Sequence, residues 1–183
     1  MFKKIIIYSL LVVLLLSFVQ IGRVNEMYPN ATVVEVTCGE TIEYQNVHLT
    51  ATNMSLAYID SVDEDFEVEV TDENGNILTK KDVRVLLVDL SYQNLSSEKV
   101  QIPLFPYTAV CGGWSNGVSQ ELFSKLNPEK SLMLNLAPQE KTTVTLPYIM
   151  YSIQFAPKKW REIEKYPFEL VLSFYPTKSI IKL

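Results

Sequence analysis

Four carboxylates fall close together at Asp60, Asp63, Glu64 and Asp65. Acidic oxygens in such a run suit an extracellular Ca²⁺, which takes about six to eight oxygen ligands. The bland alternative, a solvated acidic loop, is the reading we prefer. Asp72-x-Asn74-x-Asn76 also begins like a calcium loop, but Gly75 stands at the fourth position instead of the sixth and Val83 replaces the bidentate Glu. Asn74-Gly75 reads instead as a hairpin turn. His48 is the sole histidine, so any histidine-based triad would have to be built around it. No Gly-x-Ser-x-Gly elbow accompanies it, and no cofactor fingerprint or complete metal motif is present.

Cys38 and Cys111 are the two cysteines. A bridge between them would close a loop of about seventy residues, worth roughly 4 kcal/mol by chain entropy; two separate buried thiols remain the alternative. Neither belongs to a Cys-x-x-Cys pair. The segment Thr108 to Gly117 sets Trp114 among Gly112, Gly113 and Gly117. Gly113 and Trp114 form a candidate partner-binding loop, because aromatic anchors carry much of the energy at interfaces. Against this, Trp114 can fold back over the sheet edge beside Cys111. Trp160, next to Lys158, Lys159 and Arg161, reads as a core plug under a short crossover.

The elements that must position these residues lie beyond a membrane segment. Lys3 and Lys4 precede an uncharged run from Ile5 to Ile21, then Gly22 and Arg23. At about 1.5 Å per residue the eighteen residues from Ile5 to Gly22 reach roughly 27 Å, near the hydrocarbon thickness of a bilayer. No Ala-x-Ala-like cleavage pair succeeds it, so residues 1–23 read as an uncleaved signal anchor, with a cleaved signal peptide as the alternative. The lysines place the N-terminus in the cytoplasm and the C-terminal domain outside. Residues 24–31, with Pro29 and Asn30, read as a juxtamembrane linker, and 32–183 as one extracytoplasmic domain.

After Arg23 the chain carries 13 basic against 21 acidic residues, a net −8. That balance argues against nucleic acid as a partner and against docking to anionic lipid through a basic face.

Period-two alternation runs through the outer domain. Val47, Leu49 and Ala51 alternate with polar residues, which puts His48 on a polar face. Phe66, Val68 and Val70 predict a half-buried strand leading into the Asn-Gly hairpin, and Val83 to Tyr92 a central strand with Leu86, Val88, Leu90 and Tyr92 on the core face. Val100-Ile102-Leu104, Leu132-Leu134-Leu136, Val144-Leu146, Ile149-Tyr151-Ile153-Phe155 and Leu170-Leu172-Phe174 continue the series. Ser119 to Leu126, after a capping serine, and Pro157 to Tyr166 predict two short helices. The expected fold is all-β, an immunoglobulin-like antiparallel β-sandwich preceded by one transmembrane helix.

Several stretches together carry a resemblance: Val24-Asn-Glu-Met-Tyr-Pro29, Gly39-Glu-Thr-Ile-Glu-Tyr44, Val85 to Asn94, Leu136-Ala-Pro-Gln-Glu140, Val144-Thr-Leu-Pro-Tyr148, and Phe168 to Leu183. The pattern resembles domain-of-unknown-function families of Gram-positive bacteria, in which one anchor carries an immunoglobulin-like sandwich, and these resemble the secreted immunoprotective-antigen fold. The resemblance implies a bacterial envelope protein, in which the glycosylation-type sequences at Asn30, Asn53 and Asn94 are incidental. It assigns no catalytic residue and no cofactor. The expected role is a non-enzymatic, membrane-anchored extracytoplasmic domain binding an envelope protein or transporter partner. The alternatives are a small-ligand or metal-ion carrier or sensor using the acidic loops, and a hydrolase with an unrecognised site.

Overall fold

The computed structural model describes residues 2–183, and the chain divides after Thr32 into two compact units. The first is one helix, α1 (Phe2–Met27). Within it Ile6–Met27 is long and apolar enough to cross a membrane, and it is apolar around its circumference, with no water-facing stripe of charge before Arg23. This is the form of a type II single-pass anchor whose C-terminal domain is extracellular. The side chains of Lys3 and Lys4, which set that topology in the sequence, lie outside the described ones. The helix runs on through Val24 to Met27, where the sequence predicts a linker; nothing there breaks it before Pro29, and Tyr28 N still donates to Val24 O at 2.8 Å.

The second unit is built mainly of strands: β1 (Thr32–Thr37), β2 (Thr41–Tyr44), β3 (Val47–Tyr58), β4 (Val83–Asn94), β5 (Val100–Pro103), β6 (Thr108–Cys111), β7 (Trp114–Gly117), β8 (Met133–Leu136), β9 (Lys141–Tyr151), β10 (Glu169–Ser173) and β11 (Thr177–Lys182). They form a five-stranded sheet in the order β1-β11-β10-β6-β7, a four-stranded sheet β2-β3-β4-β9, and the pair β5-β8. Their inner faces share one core. Leu49, Leu86, Leu90, Tyr92, Leu146 and Tyr148 from the four-stranded sheet meet Ala109, Leu170, Leu172 and Ile181 from the five-stranded one, with Ile102 and Leu134 from the pair.

The expectation of an all-β immunoglobulin-like sandwich is not met. The fold is mixed α/β, β-sandwich-like, with three sheets that do not close into a barrel. Inside the domain are helices α2 (Ile59–Val62), α3 (Gln120–Leu126) and α4 (Pro157–Arg161), and 3-10 turns at Lys80–Asp82, Ser152–Gln154 and Ile163–Lys165. The reason lies in β4, whose first half is apolar on both faces. Val83 and Val85 point away from the main core, and Ile59 of α2 and Leu122 of α3 pack over them with Phe66 in a second small core. An immunoglobulin-type sheet would leave that face to water.

Two further differences are local. Residues 66–70 form no strand; Thr71 bridges only to Ile77, because the return segment stops at a Thr79–Asp82 capping turn too soon to build a ladder. The alternation beyond Tyr151 also ends in the 3-10 turn Ser152–Gln154.

β9 is an edge strand, and its free edge is covered group by group. Asn127 Nδ2 donates to Thr145 O at 2.9 Å while its Oδ1 accepts from Thr145 N at 2.9 Å, so one side-chain amide imitates a neighbouring strand. Ser119 N donates to Pro147 O at 2.9 Å, Asn116 Nδ2 to Ile149 O at 2.8 Å, and Lys130 Nζ to Thr143 O. Pro147 has no N–H to offer at this edge. Such covering blocks strand addition by another chain.

Candidate binding site

One end of the core gathers cations and aromatic rings. Arg84 opens β4 on the inner face, in register with Tyr58 of β3 and Met150 of β9. Although charged, it is 8% exposed. Its guanidinium carbon lies 5.0 Å from the Tyr58 ring centroid and 5.3 Å from that of Trp160, within cation–π reach of both. Nη1 donates to Glu164 Oε1 at 3.0 Å and Nη2 to the Tyr58 hydroxyl at 3.2 Å, while Nε is buried without a hydrogen-bond partner. Arginine tolerates this position because its charge is delocalised and weakly hydrated.

The stack continues through Trp160 to Phe155 (5.6 Å between centroids), from Phe155 to Trp114 (5.7 Å) and from Trp114 to Phe168 (6.4 Å, edge-on). Trp114 arrives there through a tight hairpin. Cys111 pairs with Trp114 across the two residues Gly112 and Gly113, and Gly112 takes φ +62°, as primed two-residue hairpin turns require. A Cβ there would also meet Lys159 Nζ at 3.1 Å, a contact relieved by a shift of a few tenths of an ångström at the lysine's end. Lys159 Nζ in turn donates to Cys111 O at 2.9 Å and sits over the rings of Phe155 and Tyr166.

The segment proposed from sequence as a binding loop is therefore a β-hairpin, and Trp114 is 6% exposed with its Nε1 donating to Gln154. It packs in the core beside Cys111, so that of the pair Gly113 and Trp114 only the glycine faces solvent. Cys38 and Cys111 are free thiols: Cys38 Sγ donates to Ala51 O at 3.3 Å, and Cys111 is buried. The bridge weighed from sequence is thus not formed, since each sulfur is held in its own environment.

Next to the stack lies an open cleft of about 370 Å³ lined by Ser152, Ile153, Phe155, Pro157, Trp160 and Arg161. Most of its wall is apolar. Arg161 enters no ion pair or hydrogen bond among the described residues, and Lys158 on the same helix is likewise unengaged. Four other surface clefts each carry at least one carboxylate, from Asp89, Glu129, Glu140 or the Glu64–Glu69 stretch. The cleft at Trp160 carries none. Trp160, read from sequence as a core plug under a short crossover, does pack against the core while staying half-buried, and sequence reasoning misses Arg84 inside an apolar strand. The signal available was three cations around one tryptophan in a short proline-initiated helix, α4.

The acidic candidates do not converge. Asp63 is bound by Lys125, whose ammonium is held above its ordinary range by the hydrogen bonds it donates to Asp63 and Glu121. Glu64 and Asp65 face solvent, and no group of three metal-ligating side chains occurs among the described residues. Asp72 folds onto its own turn, accepting from Asn74 N and Asn76 N at 2.9 Å each; the Asn76 side-chain amide holds its carboxyl below the usual range. His48 is exposed on β3, in register with Glu43 and Gln93. Asn94, one of the glycosylation-type positions, is fully buried and donates to Glu98 O and Ala137 O.

A family profile described as a domain of unknown function, DUF5028, matches residues 43–179. No curated protein matches the chain. Among solved structures it is similar to an uncharacterised β-sandwich protein of Clostridium difficile 630 (13% identity, TM-score 0.48, 84% of this chain and 96% of that one). It is also similar to the yjhA protein of Bacillus subtilis (14%, 0.45, 80% and 98%) and to a conserved hypothetical protein of Bacillus anthracis (12%, 0.46, 80% and 94%).

Proposed function

This chain belongs to the DUF5028 family, and from that premise we propose that it is a membrane-anchored extracytoplasmic domain that acts by binding an envelope or transporter protein and not by turnover. The observation that carries the proposal is the cleft beside Trp160. It joins an apolar wall to an unengaged cation, on a domain whose net charge is otherwise strongly negative. Ile153 in its wall is 49% exposed, an apolar contact ready for a partner, while the half-buried Trp160 of the same wall is held in place by Arg84 and Phe155. Interfaces commonly centre on such rigid aromatic and arginine groups.

The test is in-cell photo-cross-linking of the full-length anchored protein with a photoreactive residue at position 153, compared with one at the exposed Ile77. A discrete adduct from position 153, lost on Arg161→Glu and missing from position 77, supports the reading. Equal labelling at both positions, or none at 153, overturns it.

A further inference from the structure

Resting on that reading, we propose that the Trp160 cleft receives the free C-terminus of a peptide, its carboxylate on Arg161 and its last apolar side chain against Ile153, Phe155, Pro157 and Trp160.

Charge selects an anion. Arg161 is the only charged residue in the lining, Lys158 stands on the same helix, and no carboxylate faces them from the cleft wall, although acids outnumber bases 21 to 13 beyond Arg23. A lone exposed arginine among apolar walls, without a counter-ion, is matched by a ligand with one negative charge and an apolar body. A guanidinium recognises a carboxylate through two parallel N–H···O bonds.

Size and shape narrow the choice. About 370 Å³ is at the low end for ligand pockets, enough for a side chain and its carboxylate and short for a long acyl chain. The cleft is concave, and Trp160 is engaged by Arg84 on one side and Phe155 on another. It is therefore not free to insert into a bilayer as an interfacial tryptophan would. A peptide end fits where a lipid does not.

The experiment is titration of the full-length protein in detergent with a hexapeptide ending in leucine as the free acid and with the same peptide as its C-terminal amide, followed by tryptophan fluorescence and calorimetry. The acid is expected to bind and the amide to bind roughly tenfold more weakly or worse, the loss of one charge-assisted pair. Arg161→Gln should remove that preference, Arg161→Lys should retain part of it, and Lys99→Gln, in another cleft, should leave it unchanged. Equal binding of acid and amide overturns the proposal. So does a response to phosphatidylglycerol vesicles with none to the peptide, which would assign the cation to a lipid headgroup. If neither peptide binds but position 153 still cross-links to a protein, the ligand class is wrong and the binding reading stands; if the cross-link is missing too, both fail.

Discussion

The indole Nε1 of Trp114 donates to Gln154 Oε1 at 3.1 Å, and that same oxygen accepts the backbone N–H of Tyr151 at 2.9 Å. One glutamine side chain thus ties the β6–β7 hairpin to the end of β9. Trp114→Ala should cost about 3–5 kcal/mol, the usual loss on deleting a packed tryptophan. Trp114→Phe should recover a good part of that through its contacts with Phe155 and Phe168. Urea unfolding measures both. An unchanged midpoint for the alanine variant would return Trp114 to the surface.

Tyr92, Tyr107 and Tyr148 are buried together, and the Tyr148 hydroxyl has no hydrogen-bond partner among the described residues. Burial is the largest cause that pushes each phenol above its ordinary value of 10.0. A raised folded pKa means that above about pH 10 the unfolded chain sheds protons that the folded chain keeps. Stability is then fully present below pH 10 and falls as pH rises past it, by about 1.4 kcal/mol per pH unit for each tyrosine. Tyr148→Phe should make that slope shallower by one tyrosine's share and leave neutral-pH stability unchanged or slightly higher. Parallel curves for the two proteins between about pH 10 and 11 would contradict this.

Asn127 replaces a missing strand at Thr145 and also donates to Phe123 O at 3.0 Å. Asn127→Ala leaves both backbone groups of Thr145 without that partner, at a cost of roughly 2–3 kcal/mol. Its removal also bares part of the β9 edge. Calorimetry should show a lower Tm, and light scattering should show more self-association than in the parent.

Free thiols at Cys38 and Cys111 predict two labels per chain with a thiol reagent under denaturing, non-reducing conditions. Cys111→Ser should destabilise by roughly 1–3 kcal/mol, because it buries a hydroxyl beside apolar rings. Unlabelled protein recovered from the native membrane would mean that the pair is bridged there.

Features set by neighbours in the chain were legible in the sequence. The apolar run from Ile5 to Ile21 needs no tertiary contact to be a spanning helix, because its length and lack of charge suffice. Ser119 marks the start of α3, where its hydroxyl accepts from Leu122 N, and period-two alternation locates β3, β4 and β9. Alternation, however, says which residues share a face and not what covers it. Only the tertiary structure decided that Val83 and Val85 lie under α2 and α3, which makes the domain mixed α/β. The same long-range pairing turned Trp114 inward, since a glycine pair fits an exposed loop and a tight hairpin equally, and the Cys111–Trp114 register chose the hairpin. Phe66 to Val70 shows the converse: perfect alternation built no strand, because a ladder needs a partner of matching length and the chain turned at Thr79 before supplying one. Arg84 reads as an interruption of an apolar strand until Tyr58 and, from a second distant segment, Trp160 and Glu164 close around it. A buried cation is stabilised by such non-local partners, and no window of sequence contains them.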